Sequence, residues 1–289
     1  MLLIHDPRCA DYGSSLRPEQ PARITASVEY LNAHHPGWTW RVPEAAAEAD
    51  VLRAHTAAHL KRLGRPPDFD DDTPFFSGIR EHALRAAGAA MLAVDCALSG
   101  QPAFSLMRPP GHHASRDQAM GFCYLNSIAI AALSARARGV GRIAIWDFDA
   151  HHGNGTEAIL KDQNDFLFVS VHQSPAYPGT GLTSFGPCRN HPIAPRTARE
   201  VHLAVLEQSW NDVLAFRPEL VLVSAGFDAY VHDPITAMTL VRDDFATLGT
   251  WLHASPLPTA AVLEGGYSRD LPALIGVFLA AWAGEERDA

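Results

Sequence analysis

The sequence is short of cysteine, of runs of one charge and of long apolar stretches. Its four cysteines, Cys9, Cys96, Cys123 and Cys188, lie far apart with no CxxC pair, which excludes both a disulfide framework and a zinc ribbon. No apolar run reaches the roughly 20 residues that a membrane-spanning helix needs. The opening MLLIHDP has neither the basic flank nor the long apolar core of a secretory signal, so a cytoplasmic protein is expected. A formal charge of -9 with no lysine-arginine run removes the basic surface that gripping a phosphate backbone requires. Nucleic acid and membrane are therefore not expected partners, whereas an acidic surface suits cationic substrates. Repeats are missing as well, and the proline-rich stretch Arg65–Pro74 is too short to separate two domains.

What is present fits a single α/β domain over residues 1–289. With 47% hydrophobic residues the chain can bury a sizeable core. Short β-branched or apolar runs at 2–5, 103–107, 142–147, 166–171, 220–224 and 260–263 alternate with alanine-rich helical patterns at 23–33, 81–98, 126–138, 197–216, 243–252 and 271–282. That alternation is the signature of a parallel sheet with helices on both faces. Asn126 and Asp243 are placed to open two of the helices.

In such a fold ligands bind beyond the carboxyl ends of the strands. Polar clusters stand there: Arg108-Pro-Pro-Gly-His-His-Ala114, Asp147-Phe-Asp-Ala-His-His152, Ser170-Val-His172, Ser224-Ala-Gly-Phe-Asp228 and Glu264-Gly-Gly-Tyr267. All five fall on one edge of the expected sheet. Asp149 and His151, two apart on an extended segment, point to one side, and Asp228 is the best-placed third carboxylate. Two aspartates and one histidine make an open zinc site with room for a water. The tandem His112-His113 offers imidazoles that titrate near working pH. Tyr267, after two glycines, offers a hydroxyl donor for an oxyanion. Together these read as metal-assisted hydrolysis of an amide or ester.

The ordered set RPPGHHA, GFCYLN, DFDAHHGNGT, SAGFD and EGGY resembles the histone deacetylase family in its broad sense, which includes bacterial deacetylase-like amidohydrolases and acetylpolyamine amidohydrolases. The resemblance runs from Arg17-Pro-Glu-Gln-Pro-Ala-Arg-Ile24 to Tyr267. It implies the arginase-deacetylase fold, a parallel sheet of about eight strands between helices. It also implies a catalytic zinc on Asp149, His151 and Asp228, His112 as general base with Asp147 orienting it, and His113 as its electrostatic or acid partner beside Asn154. Tyr267 would polarise the substrate carbonyl, and Gly121, Phe122 and Tyr177 would wall a narrow tunnel for a lysine-like alkyl chain. A potassium ion is implied behind the zinc, on Asp147 and the backbone carbonyls of Asp149, His151, Ser170 and Val171.

The implied substrate is an acylated lysine or an acylated polyamine. Ile235 falls where polyamine-selective relatives can carry a glutamate, His232 stands where the family usually has glycine, and Arg17 where relatives often have histidine. The loop Asp72–Ser77 shows no clear counterpart of the carboxylate that grips a peptide backbone in some relatives. Gly153 occupies the place where a binuclear ureohydrolase needs a bridging aspartate. His55 and His59 form an i, i+4 pair expected on one helix, with a structural role because no glutamate accompanies them. His172 is expected to pack rather than ligate.

Overall fold

The computed structural model describes residues 1–285. Eight strands form one sheet: β1 (Leu2–Ile4), β2 (Thr39–Arg41), β3 (Ala103–Ser105), β4 (Ile143–Asp147), β5 (Phe166–Gln173), β6 (Cys188–Ile193), β7 (Leu220–Ala225) and β8 (Thr259–Leu263). Their order is β2-β1-β3-β8-β7-β4-β5-β6, and every pairing is parallel. The chain belongs to the α/β class, as the sequence implies. Strands β1, β3, β4, β7 and β8 are buried along their whole length, because a parallel sheet with both faces covered reads as a continuous apolar run.

The helices are α1 (Ala22–His34), α2 (Glu48–Ala54), α3 (Ala57–Arg62), α4 (Ile79–Leu98), α5 (Ser127–Ala137), α6 (Asn154–Leu160), α7 (Arg199–Phe216), α8 (Arg242–Ala254) and α9 (Leu271–Ala283). On one face Trp146 of β4 packs against Trp210 of α7 and Trp251 of α8, and Phe148 and Phe227 meet Phe278 of α9. Trp146 is fully buried and its indole N–H donates to Ser209 Oγ at 2.9 Å, which satisfies its one polar atom. A second apolar cluster gathers Val51, Leu60, Ile79, Ala83, Tyr124 and Ile130, joining α2, α3, α4 and α5.

Several local expectations need correction. Asn126 does cap α5, its Oδ1 accepting from Ala129 N at 3.0 Å. Asp243 does not cap α8. It lies in the first turn, and Asp244 Oδ2 instead accepts the Val241 N–H at 2.8 Å. His55 and His59 do not share a helix: α2 ends at Ala54, His55 is extended, and Thr56 opens α3 by accepting from His59 N at 3.1 Å. Both rings are buried and bound to backbone, His59 Nε2 with the Tyr124 carbonyl and His55 Nε2 with the Asn126 N–H, which is the structural role expected of them.

Candidate active site

The five polar clusters come together because β3, β8, β7, β4 and β5 are consecutive neighbours in the sheet. The clusters at Arg108 and Glu264 follow β3 and β8 as expected, whereas the other three begin inside their strands: Asp147 is the last residue of β4, Ser170 and His172 lie within β5, and Ser224 lies within β7. Asp149, His151 and Asp228 are buried and bring one ligand atom each to within 4.8 Å of one another. His151 Nδ1 lies 2.8 Å from Asp228 Oδ2 and 3.3 Å from Asp149 Oδ1.

Backbone amides fix the carboxylates. Asp149 accepts from His151 N at 2.8 Å and Gly265 N at 2.7 Å, and Asp228 accepts from Ala150 N at 2.8 Å. Gly265 is obligatory at this approach, since a Cβ there would stand 2.5 Å from an oxygen of both Asp149 and Asp228. Among the described residues this is the one cluster of three or more such ligands. A Cβ at Gly153 already meets Asp147 Oδ2 at 2.2 Å, so an aspartate bridging a second metal has no space there.

The two histidines beside this cluster differ in their partners. His112 Nδ1 pairs with Asp147 Oδ2 at 3.0 Å and turns Nε2 to within 3.8 Å of Asp149 Oδ1. His113 Nδ1 donates instead to the neutral Asn154 Oδ1 at 2.8 Å. The rings are 4.1 Å apart. Burial lowers the His112 pKa, but the Asp149 and Asp147 carboxylates outweigh it and push it up to about 10. His113 is held well below the usual histidine value by burial and by the charges on His112 and His151. A divalent cation on Asp149 would cancel part of the field that raises His112.

Glu264, singled out only as part of a motif, is an organising residue of the site. Fully buried, it accepts from Gly111 N at 2.7 Å and His112 N at 3.2 Å, and Ser224 Oγ donates to its other oxygen at 3.2 Å. Burial pushes its carboxyl up to about 7. Its position immediately before the glycines of EGGY was the available signal, since an acidic residue at the end of a buried strand needs donors. Arg23 was missed too. From α1 it donates to the Gly266 and Glu264 carbonyls at 2.7 and 2.5 Å and lies 4.8 Å from the Tyr267 ring centre.

The expected tunnel residues adjoin these groups. Tyr177 stands edge-on to His113 at 5.2 Å and Phe122 edge-on to Tyr267 at 5.8 Å. Gly121 lies between, with φ +56, and a Cβ on it would come to 2.6 Å from His113 and 2.9 Å from Tyr177. Ile235 is 37% exposed, and its N–H is bound by Asp233. His232 is exposed and packs edge-on to Tyr230 at 5.2 Å. Arg17 reaches the Asp71 carbonyl at 2.9 Å, and the Asp72–Ser77 loop is fastened by Thr73 Oγ1, which accepts from Phe122 N at 3.0 Å. His172 is packed, its Nδ1 at 2.9 Å from Ser170 Oγ and its Nε2 at 3.0 Å from the Gly181 carbonyl.

Residues 17–279 match the histone deacetylase domain. The chain belongs to the histone deacetylase family. It is 36% identical to a probable deacetylase of Methanothermobacter thermautotrophicus, over 92% of this chain and 86% of that one. It is 38% identical to a histone deacetylase-like amidohydrolase of Pseudomonas aeruginosa, over 92% of this chain and 75% of that one. The crystal structure of an acetylpolyamine aminohydrolase from Burkholderia pseudomallei superposes with a TM-score of 0.89 at 28% identity, covering 98% of both chains. The protein is a histone deacetylase-like amidohydrolase, a hydrolase of amide bonds. Among the described residues no helix is long and apolar enough to cross a membrane.

Proposed function

We propose that the protein is a zinc-dependent deacylase that removes an acetyl or longer acyl group from a lysine-like amine, with residues 1–289 acting as one catalytic domain. The observation that carries this reading is the convergence of the Asp149, His151 and Asp228 ligand atoms beside two imidazoles with separate hydrogen-bond partners. Two carboxylate oxygens and one imidazole nitrogen, buried and fixed by backbone amides, are a donor set that suits zinc and leaves a coordination position open. Zinc there would act as a Lewis acid on the acyl carbonyl and the attacking water. Behind it, Asp147 and the backbone carbonyls of Asp149, His151, Ser170 and Val171 would hold potassium. Of these, the Asp149 and His151 carbonyls accept no backbone N–H among the described residues, and all-oxygen donors suit a hard cation.

His112 takes a proton from water at Nε2, while Asp147 holds its Nδ1–H and stabilises the imidazolium that forms. His112 Nε2 then returns that proton to the departing amine, while His113, its Nδ1–H fixed on Asn154, stands beside it as the neutral electrostatic partner. The Tyr267 hydroxyl donates to the oxygen on which negative charge develops. Gly121, Phe122 and Tyr177 enclose the alkyl chain, and the exposed apolar Ile235 lines the rim.

A second reading, an acetylpolyamine amidohydrolase, is favoured by a different observation. The turn that carries Asp70 and Asp72 is tied to the tunnel wall, Thr73 Oγ1 accepting from Phe122 N at 3.0 Å, so acidic groups stand close to where a second amine could be read. Rates on acetyl- and acyl-lysine peptides measured beside N-acetylputrescine and acetylspermidine separate the two. Turnover confined to the polyamines overturns the first reading, and a zinc-loaded protein inactive on every one of these amides overturns both.

A further inference from the structure

The Tyr267 phenol sits just beyond a segment that Asp149 and Arg23 hold as far as Gly266, at a residue with no regular structure of its own. It follows Gly265 and Gly266, the latter at φ +115, in a stretch outside any helix or strand, and paired glycines leave the backbone its greatest freedom. A hydroxyl that must meet a developing oxyanion has to be held to a fraction of an ångström before the reaction, not during it. Something other than regular structure must hold it.

The Asp233 carboxylate meets that need. It comes from the loop after β7, 34 residues away in sequence, and its Oδ2 accepts the Tyr267 N–H at 2.7 Å. Its Oδ1 accepts the N–H of Ile235 at 3.1 Å, a local turn that fixes the carboxylate's own orientation. Asp233 is buried, with two backbone donors and no ion pair to a lysine or arginine among the described residues. Burying a carboxylate without a cation is costly, and burial with the nearby Asp228 charge pushes its carboxyl up to about 7. An apolar side chain would be the more stable occupant unless these two bonds were required.

We propose that Asp233 is a positioning residue for Tyr267, tying the loop that carries the phenol to the tunnel-rim segment at Ile235. The inference rests on the reading of Tyr267 as the oxyanion donor. It makes one carboxylate the mechanical link between the place where the substrate enters and the group that stabilises its transition state. Because Asp233 acts through the phenol, removing it lowers turnover by no more than removing the hydroxyl does.

The test is a double-mutant cycle on the zinc-loaded enzyme, joined to amide hydrogen exchange of the 264–268 segment. Asp233→Ala is expected to lower kcat roughly 10- to 100-fold, as for loss of a hydrogen bond to a charged group, with KM changed less than about threefold and zinc retained. In the Tyr267→Phe background the same substitution is expected to cost no more than about twofold. Exchange at Tyr267 should rise at least about tenfold while the central strands keep their protection. Asp233→Asn, which keeps the volume and one acceptor, should fall between wild type and Ala, and it carries the test where the Ala variant fails to fold.

An equal loss of kcat in both backgrounds overturns the proposal, because Asp233 would then act elsewhere. Unchanged exchange at Tyr267 also overturns it. Should the wild-type holoenzyme hydrolyse neither acyl-lysine nor acyl-polyamine substrates, the functional reading fails, and the exchange measurement alone decides whether the clamp exists.

Discussion

His112 Nδ1 lies 3.0 Å from Asp147 Oδ2, and both side chains are buried. The carboxylate accepts the ring's Nδ1–H, so in the neutral ring the lone pair is on Nε2, the nitrogen that faces the Asp149 carboxylate. An amide at position 147 can offer N–H to Nδ1 instead, which moves the ring proton to Nε2 and blocks it as a base. Asp147→Asn and His112→Ala are each expected to lower turnover about 100-fold or more. Steady-state kinetics on an acetyl-lysine peptide, with zinc content measured on the same samples, checks this. Turnover within about threefold of wild type in either variant removes the assigned role.

Ligand and oxyanion roles separate by what each variant does to the metal. Asp228→Ala removes one of three converging donors and leaves His151 Nδ1 with Asp149 alone, so zinc per chain should fall well below one. Tyr267→Phe removes only a hydroxyl: zinc should stay near one per chain while kcat falls about 100-fold. Chelation of the wild type should abolish hydrolysis, and added zinc should restore it. Stoichiometric zinc in Asp228→Ala would contradict the ligand assignment, and unchanged kcat in Tyr267→Phe the oxyanion one.

The site was more legible than its frame. Residues that must converge on one ion are polar, ionisable and placed where an apolar run stops, so Asp149, His151 and Asp228 stand out of the sequence. Edge strands carry no such contrast. β2 is three residues, Thr-Trp-Arg, partly exposed, and β6 contains Pro192 and alternates in burial, so neither reads as a buried run. The short helices α2, α3 and α6 fall below the length at which apolar periodicity can be seen. Glu264 is marked only by its place at the end of a buried strand, and Asp233 not at all, because their partners are backbone N–H groups from distant segments, and a backbone donor does not show which residue it serves.

Gly121 provides a prediction that separates the tunnel from the chemistry. Its φ of +56 and the 2.6 Å approach a Cβ would make to His113 exclude any larger residue without displacing a wall. Gly121→Ala is expected to lower kcat/KM at least about tenfold on an acyl-lysine substrate and to leave zinc content unchanged. A truncated acyl-amine that does not fill the tunnel should lose less. Equal losses on the long and the truncated substrate would mean that the glycine serves the fold and not the passage.

Stability should depend on pH through buried histidines that are not part of the Asp149, His151 and Asp228 cluster. Burial lowers the His55 pKa to about 3 and the His202 pKa to about 4, the latter against a raising field from Asp244. In the unfolded chain both titrate near 6.5. Above pH 6.5 each is neutral in both states and costs nothing. Between 6.5 and the folded value the unfolded chain binds a proton that the folded one refuses, so stability falls as pH falls, by about 1.4 kcal/mol per pH unit for each histidine, and levels off below pH 3 to 4. By pH 5 that amounts to roughly 2 kcal/mol apiece. His202 Nδ1 is buried with no hydrogen-bond partner, so a leucine there forfeits no bond at that nitrogen. Urea unfolding at pH 7.5, 6 and 5 should show wild type weakening steadily, and His202→Leu should weaken about 2 kcal/mol less over the same interval. Parallel curves for the two proteins would mean that His202 is already protonated in the fold, or reaches water through a path its burial does not suggest.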